Sequence, residues 1–210
     1  MTNSLKIKIC GLNNFNNMKE VENLKPDFIG LIFYKSSPRY IYNSDDVSQI
    51  KEFISTPKVG VFVNEELSSI NKKISEFNLS FVQLHGEEDI DYIKNISDKV
   101  KIIKAIKIRN REDIISSAFY KHNCDYILFD TASSNMGGSG TKFNWNWLND
   151  YSLNIPFILA GGISINDVED IIKLKKTNKN FAGVDLNSKF EIQAGIKNTE
   201  ILKQFISCIR

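Results

Sequence analysis

Residues 59–84 read VGVFVNEELSSINKKISEFNLSFVQL, and the order of patterns within them sets the architecture. Val59–Val63 is a nearly unbroken apolar run of β-branched and aromatic side chains. A strand reads this way when both of its faces are buried, as in a parallel sheet. Leu67, Ile70, Ile74 and Phe77 then step by three and four, the apolar face of a helix. Phe81–Leu84 is a second strand run. Strand, amphipathic helix and strand in succession are one βα unit and the start of the next.

The unit recurs in both directions. Ile7–Cys10 and Phe28–Phe33 precede it, and Ile102–Ile108, Tyr126–Phe129, Phe157–Ala160 and Ala182–Leu186 follow. Between these runs, Val47, Ile50 and Ile54 share a helical face that Pro57 closes. Glu87 to Ile96 reads as a shorter helix, and Ser164 with Asp167 resembles a capping box opening another. Ile201, Leu202, Phe205, Ile206 and Ile209 form the stripe of a last helix. Strand starts lie roughly 20–30 residues apart, the spacing of βα units. Eight units can form an open doubly wound sheet or a closed one. The count of eight, and a length near the short end of the usual range of about 200 to over 400, favour closure. The expectation is one α/β domain over residues 1–210, a (β/α)8 barrel with a closed parallel eight-stranded sheet.

Composition narrows the function. The 210 residues carry a net charge of +2 with acids and bases interleaved. No Lys/Arg run forms a nucleic-acid footprint. Most basic residues are lysines, which reads as a solvated surface. The N-terminus passes straight into a strand pattern without a signal core, and no segment approaches ~20 apolar residues. Cys10, Cys124 and Cys208 are odd in number and far apart, so they suggest neither a disulfide framework nor a metal site. The expectation is a cytoplasmic protein, monomeric, without nucleic-acid or membrane partners.

In this architecture, chemistry sits at the C-terminal ends of the strands and the opposite face serves stability. The first strand ends in Cys10-Gly11, and the second leads into Ser37-Pro38-Arg39. The third ends at Asn64, and the fourth at Gln83-Leu84-His85-Gly86. The sixth ends in Asp130-Thr131, with Gly137, Gly138 and Gly140 beyond. The seventh ends in Gly161-Gly162, and the eighth in Asp185-Leu186-Asn187-Ser188. Glycines after adjacent strands allow backbone N–H groups to approach an anion, and a phosphate site after strands 7 and 8 recurs in such barrels.

A free cysteine is commonly a small core residue, but Cys10 stands at a strand end on the catalytic face. Cys124, at the start of strand 6, and Cys208, in the final helix, read as structural. Asp130 follows four apolar residues directly. The expectation is a carboxyl between apolar walls, where desolvation raises a pKa. Arg39 is either a surface ion-pair residue or a fork that grips a carboxylate. His85 reads first as a structural histidine, and His122 closes the fifth helix on the far face.

Taken together, these residues resemble the phosphoribosylanthranilate isomerase family of tryptophan biosynthesis. The likeness runs nearly end to end. It rests on Lys8-Ile9-Cys10-Gly11-Leu12, Ser37-Pro38-Arg39, Val82-Gln83-Leu84-His85-Gly86 and Phe129-Asp130. It continues through Gly137-Gly138-Ser139-Gly140, Phe143-Asn144-Trp145, Leu159-Ala160-Gly161-Gly162-Ile163, Gly183-Val184-Asp185-Leu186-Asn187-Ser188 and Glu191. The resemblance implies an Amadori rearrangement of a phosphorylated sugar–anthranilate without metal or cofactor, with Cys10 as general base and Asp130 as general acid. It further implies that Arg39 engages the anthranilate carboxylate. The glycines after strands 6 and 7, with Ser188, would hold the phosphate, and His85, Asp185 and Asn187 would join the substrate site. Two departures stand out. Lys189 replaces a family glycine after Asn187-Ser188, and Ala194-Gly195 replaces Pro-Gly before the last helix.

Three other functions compete. The related aminoaldose isomerase of histidine biosynthesis resembles two duplicated half-barrels with an aspartate base on strand 1. Cys10, the shorter chain and the lack of a clear half-chain repeat argue against it. Indole-glycerol-phosphate synthase is a weaker rival, since its chemistry needs a strand-1 lysine where Cys10-Gly11 ends this strand. A silent barrel that only binds a phosphorylated ligand is disfavoured by the intact Cys10/Asp130 pair.

Overall fold

The computed structural model describes residues 4–96, 98–132 and 142–210. Eight strands close into a barrel in sequence order: β1 (Lys6–Cys10), β2 (Phe28–Ile32), β3 (Lys58–Phe62), β4 (Leu79–Leu84), β5 (Lys101–Ile108), β6 (Tyr126–Thr131), β7 (Phe157–Leu159) and β8 (Phe181–Leu186). All neighbouring pairs are parallel, and β1 pairs with both β2 and β8. Closure leaves no free sheet edge, the liability an open sheet would carry.

Seven α-helices cover the outside among the described residues: α1 (Phe15–Glu22), α2 (Val47–Phe53), α3 (Leu67–Phe77), α4 (Ile90–Lys94), α5 (Arg111–Ser116), α6 (Val168–Thr177) and α7 (Thr199–Ile209). In α3, Ile70, Ile74 and Phe77 are buried, the face their spacing predicts. The Ser164/Asp167 capping box forms, opening a short 3-10 turn that runs into α6. Among the described residues, the sixth unit departs from the expected strand-then-helix pattern. A 3-10 segment, Trp145–Asp150, lies between β6 and β7. Asn144 there accepts a hydrogen bond from the Asn146 backbone N–H, a local contact that competes with α-helix formation.

Period-two alternation divides the strand residues into two layers. One set faces the helices and joins the large outer core, including Ile7, Ile9, Ile29 and Phe129. The other fills the barrel interior: Phe28, Val59, Phe81, Ile103, Ala105, Leu128, Ile158 and Ala160. Register extends this inner layer. Lys8 is level with Phe28 and Asp185, and Cys10 with Gly30. Asp130 is two residues beyond Leu128 on β6, so it also projects inward, at the C-terminal mouth. After β8, a hairpin of β9 (Glu191–Gln193) and β10 (Ile196–Lys197) leads into α7. No helix of the described residues is long and apolar enough to cross a membrane.

Candidate active site

The last inward residues of β1, β6 and β8 bring Cys10, Asp130 and Asp185 to one barrel mouth. Cys10 is buried. Space for its thiol comes from Gly30 on the neighbouring strand, where an added Cβ would stand 2.6 Å from Cys10 Sγ. Burial pushes the Cys10 thiol above its ordinary value overall and Asp185 adds to the rise, while the Lys8 ammonium offsets part of it.

Across the mouth, Asp130 is less enclosed than its apolar neighbours suggest. Its side chain is 26% exposed and its Oδ2 lies 3.1 Å from His85 Nε2. Among the described residues the carboxyl is thus partly enclosed, because the apolar residues before Asp130 alternate between the interior and the outer core. Gln83 Nε2 lies 3.0 Å from His85 Nδ1. If the amide donates there, the imidazole proton sits on Nε2, directed at Asp130. His85 is thus aligned on the proposed acid.

Arg39 is fixed from the far end of the chain. Its Nε lies 2.8 and 3.1 Å from the two Glu191 carboxylate oxygens, and its Nη2 lies 2.6 Å from Oε2. Lys197 Nζ donates to Glu191 Oε1 and to Asn187 Oδ1, both at 2.7 Å. The Glu191 hydrogen bonds hold the Arg39 guanidinium above its ordinary range. Burial raises Glu191, but Arg39 and Lys197 outweigh it and hold the carboxyl below its ordinary range. Gly11, at φ +79°, admits this cluster, since a Cβ there would stand 2.6 Å from Arg39 Cδ and 2.8 Å from Asn187 Oδ1.

At the end of β7, Gly161 and Gly162 adopt φ of +87° and +69°, a region that L side chains rarely enter. Gly161 also sits against the acid, where a Cβ would be 2.9 Å from Asp130 Oδ1. Ser188 begins a 3-10 turn, Ser188–Phe190, directly after β8. With the mouth laid out in this way, residues 7–208 match the N-(5'-phosphoribosyl)anthranilate isomerase family.

The chain belongs to that family. It is an isomerase of tryptophan biosynthesis. The isomerase of Parabacteroides distasonis is 39% identical over 206 residues, covering 97% of this chain and 92% of the relative. That of Thermoanaerobacter pseudethanolicus is 38% identical over 209 residues, covering 98% of each. Among solved structures, the Thermotoga maritima phosphoribosylanthranilate isomerase superposes with a TM-score of 0.84 at 32% identity, covering 98% of both chains. A phosphoribosylanthranilate isomerase in complex with reduced 1-(o-carboxyphenylamino)-1-deoxyribulose 5-phosphate gives a TM-score of 0.80 at 29% identity, again covering 98% of each chain.

Within this isomerase, the remaining expectations sort by position. Gly137, Gly138 and Gly140 lie outside the described residues. Lys189 is exposed and takes no positive φ, so the turn after Asn187 forms without the family's glycine. Gly195 does need its freedom: φ is +89° and a Cβ would meet Asn13 Oδ1 at 2.0 Å. Cys124 is half-buried and Cys208 exposed. His122 is exposed beyond α5.

Sequence reasoning assigned no role to Lys8, Gly30, Gln83 or Lys197. A glycine inside the apolar run of β2 was the available signal, since it marks close approach by a neighbour. The lysines carried a misleading one. Lys8, Lys58, Lys104 and Lys197 are buried, contrary to the solvated surface that composition suggests. Each has a partner that offsets the cost of burial: Asp185 for Lys8, Glu88 for Lys104, Glu191 for Lys197, and the Lys51 and Ile54 carbonyls for Lys58.

Proposed function

We propose that residues 1–210 act as one catalytic domain that converts N-(5'-phosphoribosyl)anthranilate to 1-(2-carboxyphenylamino)-1-deoxyribulose 5-phosphate, with Cys10 as base and Asp130 as acid. The observation that carries this reading is that both side chains face the interior at the same mouth, three strands apart around the closed sheet. A substrate between them has one group on either side.

The aminoaldose ring must open before its C2 proton can leave. Asp130 gives a proton to the ring oxygen, and the ring opens to an iminium. That cation acidifies C2–H, and the Cys10 thiolate takes the proton. The enolamine then tautomerises to the ketone. His85, 3.1 Å from Asp130, orients the acid.

Arg39 directs the anthranilate carboxylate. Glu191 occupies its Nε/Nη2 edge, so the Nη1/Nη2 edge is the one a substrate carboxylate meets. The fork then bridges two carboxylates, one built in and one bound. Gly161, Gly162 and Ser188 hold the phosphate together with Gly137, Gly138 and Gly140, through backbone N–H groups. The positive φ values at Gly161 and Gly162 support this, because such turns expose N–H groups to an anion. Asp185 and Asn187 complete the sugar-facing wall. On this reading the chain acts as a monomer in the cytoplasm.

A fluorescence assay following freshly generated phosphoribosylanthranilate tests the reading. Consumption of the fluorescent substrate is expected. Purified, folded protein that binds the product yet never turns over substrate would leave only a ligand-binding barrel.

A further inference from the structure

We propose that Lys8 is a positioning residue for catalysis: its ammonium, held by Asp185 inside the barrel, is the counter-ion that lets Cys10 exist as a thiolate. This rests on the reading of Cys10 as the base.

The barrel interior is apolar almost throughout, filled by Phe28, Val59, Phe81, Ile103, Ala105, Leu128, Ile158 and Ala160. Lys8 enters this layer with a side chain that is 0% exposed, and its Nζ lies 2.9 Å from Asp185 Oδ2. Enclosing such a pair costs desolvation that apolar side chains of the same volume would avoid. A charge pair here needs a use other than stability. Its location supplies one. Lys8 and Cys10 are two residues apart on β1, so both project inward, Lys8 one layer beneath Cys10. The Lys8 ammonium favours the thiolate against burial.

The charges facing Cys10 come from several elements. Lys8 on β1 and Lys197 on β10 favour a thiolate, while Asp185 on β8 opposes it. Arg39, after β2, also interacts with the Cys10 charge. Asp130 and His85, in turn, act on Asp185. Lys8 remains charged despite burial because Asp185 and Cys10 outweigh the desolvation. Among the described residues, Asp185 Oδ1 is buried and without a hydrogen-bond partner. Its other oxygen, Oδ2, holds the Lys8 ammonium.

The test is the pH dependence of Cys10 alkylation by iodoacetamide, followed on the Cys10 peptide by mass spectrometry so that Cys124 and Cys208 do not interfere. Lys8→Met should move the midpoint up by about one pH unit or more, the scale of one nearby opposite charge. Turnover at neutral pH should fall about tenfold for each pH unit the midpoint rises, and recover in more alkaline buffer. Lys8→Met leaves Asp185 unpaired and can fail to fold. Lys8→Met/Asp185→Asn removes both charges, and its midpoint should lie above that of Asp185→Asn, which keeps the ammonium. In folded protein, a midpoint no higher in Lys8→Met than in the parent chain, or no higher in the double variant than in Asp185→Asn, overturns the inference. Cys10→Ser separates this from the underlying reading. If that variant keeps near-normal turnover, Cys10 is not the base, whatever its titration.

Discussion

At the seam between β1 and β8, the side chains of Lys8 and Lys197 are fully buried and bind Asp185 and Glu191. Across the mouth, Asp130 and His85 are 26% and 21% exposed and meet through a single 3.1 Å contact. Among the described residues, the proposed base thus lies in a closed, charge-dense pocket, and the proposed acid lies partly exposed at the rim. A buried thiolate has to be stabilised by fixed protein charges, because water cannot reach it. A partly exposed acid can regain its proton from solvent after each turnover. The difference between the sides follows the demands of the two half-reactions.

The largest expected effects remove one side outright. Cys10→Ser and Asp130→Asn keep shape but lose the base or the transferable proton, and each should lower turnover by at least about a hundredfold. Steady-state fluorescence kinetics on folded variants that still bind product would measure this. Near-normal turnover in either would remove that residue from the mechanism.

Next comes the packing that holds the closed side. Gly30→Ala puts a methyl 2.6 Å from Cys10 Sγ, so the thiol must shift. Displacing a reacting group by about 1 Å can cost on the order of a hundredfold, so turnover should fall by up to that factor while product affinity changes little. An unchanged kcat would mean that the thiol needs no fixed seat.

A smaller effect is expected at Arg39. Lysine cannot reproduce the fork, so Arg39→Lys should raise KM and lower kcat/KM by roughly tenfold, the value of one charge-assisted hydrogen bond. The penalty should shrink for an analogue lacking the anthranilate carboxylate. Equal penalties for both substrates would show that Arg39 serves the Glu191 cluster alone.

The smallest effect is on stability. Glu191 is held below its ordinary range, chiefly because Arg39 and Lys197 outweigh burial. Its contribution is therefore present above the unfolded carboxyl value, about 4.3, and lost as pH falls through the lower folded value. The melting temperature should decline in that acid window. Relative to its own neutral value, Glu191→Gln should decline less. Parallel acid profiles would assign the loss to other carboxylates.

The sequence made the strands legible because each is a short apolar run, and their observed bounds lie within two residues of the runs. Cys10, Asp130 and Arg39 were readable as strand-end polar residues, since alternation and the barrel rule need no tertiary information. The partners were not readable. Arg39 and Glu191 are 152 positions apart, and Lys8 and Asp185 are 177 apart. Only closure of the barrel between β1 and β8 joins them. Lysine is a surface residue by composition and becomes an interior one where acceptors stand opposite, a carboxylate for Lys8, Lys104 and Lys197 and backbone carbonyls for Lys58. The openness around Asp130 was hidden for a related reason. Tyr126–Phe129 is apolar, but in a strand those residues face two different layers.

The primary isotope effect with substrate deuterated at C2 tests the division of labour most directly. If the closed side removes the C2 proton and the open rim opens the ring, Cys10→Ser should be limited by C–H cleavage and show a large primary effect. Asp130→Asn, limited by ring opening, should show a smaller one. A large effect in Asp130→Asn with little or none in Cys10→Ser would contradict the assignment and exchange the roles of the two sides.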